Sequence, residues 1–156
     1  MVNQIRTYLL FIFLTSSFFC DAQEKVDWMS FEELEHKMAT QPKNVLLYFH
    51  ADWCVYCKKM DRKVFTNPEL VTLLNTTYYA VSFDAESESE IEFGKKTYIN
   101  DQLGRSRTPL HQITQVLATR DGEFVAPTLI VLDKDFKITA RYFEYMTSDR
   151  LIKVLK

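Results

Sequence analysis

Cysteine is scarce in this 156-residue chain: there are three, and only Cys54 and Cys57 stand close together. A closed zinc site takes four ligands, and no second cysteine pair exists to complete one. Charge of one sign is also missing, since 19 Lys and Arg face 21 Asp and Glu for a formal net charge of −2. That balance argues against a nucleic acid or an anionic membrane recruited by bulk charge. Glycine (3) and proline (4) are sparse, while 47% of residues are hydrophobic and 14% aromatic, so a packed globule is expected rather than disorder. The length fits one domain with a core of ordinary size. There is no internal repeat and no low-complexity tract.

What is present begins with a targeting pattern. Arg6 precedes an apolar run over residues 8–19 that is too short to span a bilayer comfortably. Cys20 and Ala22 are small residues suited to cleavage after Ala22, which makes 1–22 a signal peptide and 23–156 the mature domain. Cleavage removes Cys20 and leaves one cysteine pair. The alternative makes Cys20 the lipidated cysteine of a lipoprotein, although Phe18 and Phe19 fit poorly ahead of such a site. Either way the chain is expected to be exported, to the periplasm, and soluble after cleavage. A single close pair in an exported chain suggests redox work more than structural stapling.

Local patterns place the elements. Ser30 with Glu33 is a capping box that opens a helix through about Met38, with Phe31, Leu34 and Met38 on one face. Pro42 ends it, and Val45 to Phe49 reads as a buried strand. A helix runs from Cys54 to about Phe65. Asn67 caps another that starts at Pro68. Tyr78 to Phe83 reads as a second strand. Thr128 to Leu132 and Lys137 to Phe143 flank Asp133-Lys134-Asp135 as a hairpin, and Ser148 to Leu155 is a last helix. The order implies an α/β sandwich, a mixed sheet with helices on both faces.

The stretch Trp53-Cys54-Val55-Tyr56-Cys57-Lys58 joins the first strand to the following helix. Cys54 therefore falls at a helix N-terminus, where free N–H groups and the helix dipole favour a thiolate. Cys57 lies one turn further on the same face and can release a mixed disulfide. This is the layout of a dithiol–disulfide exchanger.

The run His50-Ala51-Asp52-Trp53-Cys54-Val55-Tyr56-Cys57-Lys58 resembles the active-site region of the thioredoxin superfamily. It is most similar to exported thioredoxin-like proteins and to the C-terminal domain of DsbD-type reductant conductors. Trp28, Phe65-Thr66-Asn67-Pro68-Glu69-Leu70 and Ala126-Pro127-Thr128 extend the match over most of residues 28–155, apart from the region between Asp84 and Val125. The resemblance implies a thioredoxin-like three-layer sandwich and a thiol-disulfide oxidoreductase that reduces protein disulfides through Cys54 and Cys57. Its only redox group would be that pair, with no further cofactor. It implies supporting or substrate-binding roles for Trp53, Ala126 and Pro127, with Pro127 a cis-proline facing the cysteines. The other reading of Pro127 is an ordinary trans proline at a strand start. Partners implied are disulfide-containing proteins and a membrane reductant conductor of DsbD type. Val55-Tyr56 contains no histidine, whose charge would favour an oxidant, so the expected direction is reduction.

Tyr48 occupies the position, six residues before Cys54, where the family often keeps a buried Asp. A tyrosine is a poor base near neutral pH. His50 and Asp52 are the candidates for proton transfer, with His50 alternatively a packing or surface residue. The segment from about 85 to 125 is longer than the corresponding family connection. Its Glu86-Ser87-Glu88-Ser89-Glu90 reads as a solvated loop or helix face. Thr108-Pro109 reads as the cap of a helix in which Leu110, Ile113 and Leu117 share a core-facing stripe. This segment, with His111, is a lesser candidate for partner recognition. Two other functions stay open: a thioredoxin-fold binding module without turnover, and a metal-binding protein using Cys54 and Cys57 with His50 or His111.

Overall fold

The structure, a computed structural model, describes residues 24–156. The expected signal peptide and Cys20 lie outside the described residues. The elements in chain order are β1 (Trp28–Met29), α1 (Phe31–Thr40), β2 (Asn44–His50), α2 (Val55–Lys63), α3 (Pro68–Thr77) and β3 (Tyr78–Asp84). Then come β4 (Ile91–Phe93), β5 (Lys96–Tyr98), α4 (Gln112–Leu117), β6 (Thr119–Arg120), β7 (Glu123–Phe124), β8 (Thr128–Leu132), β9 (Ile138–Tyr142) and α5 (Ser148–Leu155).

The main sheet has the order β1-β3-β2-β8-β9, with β1 and β2 parallel to β3 and the β2–β8 and β8–β9 pairs antiparallel. It is the mixed α/β sheet with helices on both faces that the pattern implies. β2 lies at its centre, buried on both faces, which explains its unbroken apolar run. Alternate residues of β2 enter opposite layers. Val45, Leu47 and Phe49 pack with Phe31, Leu34 and Met38 of α1 and Ile113 of α4. Leu46 and Tyr48 pack with Cys57 and Met60 of α2, Leu70 and Leu74 of α3, and Leu151 and Leu155 of α5. Each fully buried leucine here contributes roughly 1.5–3 kcal/mol of transfer free energy.

The caps behave as the local sequence demands. Glu33 N–H donates to Ser30 Oγ at 3.1 Å, and Ser30 N–H donates back to the Glu33 carboxylate at 2.8 Å. Asn67 Oδ1 accepts from Leu70 N–H at 3.1 Å, with Pro68 in the first turn of α3.

Several expectations need correction. α2 ends at Lys63 rather than near Phe65. α4 is capped by His111, not by Thr108-Pro109, so Leu110 stands outside the helix. Of the two readings of Glu86–Glu90, the loop is the one observed, a turn and irregular chain ahead of β4. Three short pieces escaped the reading: edge strand β1 and the hairpins β4–β5 and β6–β7. Strands of two or three residues carry too little periodicity to show. Asp121-Gly122, both at positive φ (55° and 84°), is nonetheless a two-residue hairpin signal that was there to be read.

Candidate active site

After β2 the chain turns through Ala51-Asp52-Trp53, closed by Cys54 N–H donating to the Ala51 carbonyl at 3.0 Å. Cys54 is the N-cap of α2, and its Sγ accepts from Cys57 N–H at 3.0 Å. A sulfur thus takes the place usually filled by a Ser, Thr or Asp oxygen. Cys54 and Cys57 form a disulfide of 2.03 Å. Both are nearly covered, at 3% and 1% exposure. The cap geometry turns its side chain inward, into the cluster that holds Ala51, Cys57 and Met60. When the bond opens, Cys54 Sγ remains at the N-terminal end of α2, where a thiolate is stabilised.

An exposed rim surrounds the covered pair. Trp53, Val55 and Tyr56 are 53%, 74% and 59% exposed. The Tyr56 ring lies 6.0 Å from that of Tyr145, which also carries Lys59 Nζ at 4.6 Å from its centroid. Trp53 Nε1 donates to the Glu86 carboxylate at 2.7 Å, and Glu86 N–H donates to Asp84 Oδ1. The acidic segment therefore positions the motif tryptophan and is more than a solvated loop.

The strand register sets the opposite wall. Phe49 pairs with Thr128, so Ala126 and Pro127 lie level with the end of β2, where the motif loop departs. The Ala126–Pro127 peptide bond is cis, and Ala126 packs against the cluster containing both cysteines.

Tyr48 is buried behind the pair, its ring near Trp28, His50 and Phe65 at centroid distances of 5.9, 5.3 and 4.8 Å. Its hydroxyl donates to the Cys57 carbonyl at 3.3 Å. Burial, then the neighbouring Asp61 carboxylate, push the phenol far above its ordinary value, so Tyr48 stays protonated and is no base. The sequence reading missed Asp61. It stands four residues after Cys57, one turn on along α2, and the i, i+4 spacing was the signal that could have flagged it. Asp61 and His50 line one cavity of about 410 Å³, with Trp28, Phe65, Thr66 and Ser82. Asp52 is exposed in the turn. Among the described residues, neither His50 nor Asp52 hydrogen-bonds a cysteine sulfur.

His111 is a structural residue, which corrects its candidacy for partner recognition. It is fully buried; Nδ1 accepts from Ile113 N–H at 3.2 Å, so Nε2–H donates to the Ser89 carbonyl at 3.0 Å. Burial lowers its pKa below the ordinary 6.5, against the opposing pull of its backbone hydrogen bonds. A depressed histidine pKa means the unfolded chain takes up the proton first. Its stability contribution is therefore complete above about pH 6.5 and declines as the pH falls below it. His111→Asn keeps a capping side chain and should lose this part of the acid sensitivity. Melting temperatures at pH 7.5 and 5.5 check it; equal acid losses in both proteins would contradict the assignment. Among the described residues, no three His, Cys, Asp or Glu side chains gather into a group able to hold a metal.

The comparisons with known proteins agree with this geometry. The thioredoxin-like domain family matches residues 31–156. A curated relative, the thiol:disulfide interchange protein DsbD of Haemophilus ducreyi, is 45% identical over 56 residues, which is 35% of this chain and 9% of that protein. The chain thus spans under a tenth of that relative's length. Among solved structures, a thioredoxin from Thermus thermophilus superposes with a TM-score of 0.58 at 21% identity, covering 84% of this chain and 85% of that one. The DsbH oxidoreductase does so with a TM-score of 0.57 at 22% identity, covering 86% and 85%. At such identities these two likenesses establish the fold, and the family match extends over most of the described residues: the chain belongs to the thioredoxin-like domain family.

Proposed function

We propose that this chain is an exported thiol-disulfide oxidoreductase that reduces protein disulfides. The observation that carries the reading is the Cys54–Cys57 disulfide at the N-terminus of α2, with Cys54 as the cap. In the reduced enzyme the Cys54 thiolate attacks a substrate disulfide and forms a mixed disulfide, and the first substrate sulfur leaves as a thiolate that takes a proton from water. Cys57 then loses its proton and attacks Cys54 Sγ, which frees the second substrate sulfur and restores the Cys54–Cys57 bond. Two electrons pass to the substrate. Trp53, Ala126 and Pro127 form the surface against which the substrate segment lies. The pair itself is the redox group, and no separate cofactor enters the reaction.

Val55-Tyr56 supports the reducing direction, since it places no added cation beside the thiolate. Asp61, which neighbours the Tyr48 hydroxyl that donates to the Cys57 carbonyl, is a further candidate acceptor for the Cys57 proton, beside His50 and Asp52. Domain boundaries of 1–22 and 23–156, a periplasmic site of action and a DsbD-type membrane conductor as electron donor complete the proposal. The leader-like N-terminus supports the first two, and the DsbD likeness supports the third.

The test of function is capture. Cys57→Ser should accumulate mixed disulfides between Cys54 and envelope proteins, resolved as slower bands on non-reducing gels. A variant whose Cys54 reacts with iodoacetamide but traps no protein would exclude the exchange reading. Equilibration with glutathione tests direction: a midpoint near thioredoxin's value of about −270 mV fits a reductant, and one near about −120 mV would reverse the assignment.

A further inference from the structure

We propose that Glu86 is a positioning residue for the disulfide exchange: the 85–125 segment holds its carboxylate still, and the carboxylate fixes the Trp53 indole as a platform for polypeptide beside Cys54. The consequence is a preference for protein disulfides over small ones. The proposal rests on the redox reading of the cysteine pair and adds to it a task for the segment. β2 and β3 end together, with His50 opposite Asp84, so the motif turn and the start of the segment leave the sheet side by side. Ala85 N–H donates to the His50 carbonyl at 2.8 Å across that junction.

The segment holds the backbone around Glu86 in place. Glu86 N–H donates to Asp84 Oδ1 at 3.0 Å. The Asn100 amide, 6% exposed, donates to the carbonyls of Glu86, Ser87 and Pro109 at 3.3, 3.1 and 2.7 Å, and its Oδ1 accepts from Gln102 N–H at 3.2 Å. The Ala85 carbonyl accepts from His111 N–H at 2.9 Å and from Thr114 Oγ1 at 3.2 Å. Ala85, His111 and Thr114 are fully buried. Opening such bonds costs the desolvation of each freed group, so they resist opening. Residues 100 to 114 thus brace the chain on either side of the Glu86 side chain.

The braced carboxylate meets the motif itself, accepting from Trp53 Nε1 at 2.7 Å. An indole has a single N–H donor, and a charged acceptor makes the stronger kind of bond. Glu86 therefore fixes how the ring stands, while the ring stays 53% exposed, next in sequence to Cys54. A side chain ordered before binding need not be ordered by it, and ordering a free one weakens affinity about two- to tenfold. Polypeptide on either side of a substrate disulfide gains from such a platform. A small disulfide, which needs only the Cys54 sulfur, gains little. Glu86 acts through Trp53 rather than on the sulfurs.

Single-turnover rates of the reduced protein with insulin and with hydroxyethyl disulfide give the test as a ratio. Glu86→Ala should lower the ratio of the insulin rate to the small-disulfide rate roughly two- to tenfold. Glu86→Gln keeps an oxygen acceptor for the indole and should recover most of it. Trp53→Phe should lower the ratio at least as far, and Glu86→Ala added to it should lower it no further. The Trp53 indole N–H resonance, identified by its absence from Trp53→Phe, should move in Glu86→Ala. An unchanged ratio, equal losses with both disulfides, no recovery by Glu86→Gln, or additive losses in the double variant would overturn the proposal. So would an indole resonance indifferent to Glu86→Ala. Reduced protein that reacts with neither disulfide defeats the redox reading itself, whereas reaction with both at an unchanged ratio defeats only this proposal.

Discussion

Cys54→Ser is expected to bring disulfide-reductase turnover down to the uncatalysed rate, a loss of at least about a thousandfold, as when a covalent nucleophile is removed. The fold should survive, because serine is a favoured N-cap and can accept from Cys57 N–H where Cys54 Sγ now does at 3.0 Å. Any loss is then chemical. Cys57→Ser should fall nearly as far for a different reason: the first attack proceeds, but the mixed disulfide is not resolved. The double variant should be no worse than either single one, since the two thiols act as a unit. Insulin reduction followed by turbidity, beside a circular dichroism check of folding, decides it. Turnover by Cys54→Ser within a few-fold of the parent would mean that the pair is not the reacting centre.

Tyr48→Asp, which puts back the acid often found at that position in related chains, is expected to destabilise the protein by about 3–5 kcal/mol. Tyr48 is 1% exposed, and its ring packs between Trp28 and Phe65, so the shorter side chain leaves a cavity. The new carboxylate would also be buried beside Asp61, with no cation recorded against the hydroxyl it replaces. Tyr48→Phe, by contrast, keeps the aromatic packing and loses the hydroxyl's interactions with the Cys57 carbonyl and Asp61, at a cost of about 1 kcal/mol. Urea unfolding of the oxidised proteins measures both. An Asp variant within about 1 kcal/mol of the parent would mean that ring packing does not hold this position.

These two substitutions mark where the chain was readable and where it was not. The cysteine motif, the Ser30–Glu33 box and the Asn67-Pro68 start were legible because each depends on groups within about one turn of one another. The apolar run of β2 revealed a central strand because burial on both faces leaves no polar alternation. The site of His111 was misjudged because its partners, Ala85 and Ser89, lie more than twenty residues back along the chain.

By itself, then, the sequence determined the order of the main elements, the thiol pair and the helix end that activates it, since those follow from local propensity and spacing. Only the tertiary structure decided what surrounds them. Packing of α2 on β2 brought Asp61 beside Tyr48, the β2–β3 register delivered Glu86 to Trp53, and the β2–β8 register set Pro127 level with the motif loop. It also decided that the inserted hairpin and the β8–β9 turn meet through Phe93 and Phe136. Such contacts join residues as far apart as 13 positions (Tyr48 and Asp61) and 79 (Phe49 and Thr128), and no local pattern encodes them; they exist only once burial of the two core layers has fixed how the elements lie against one another.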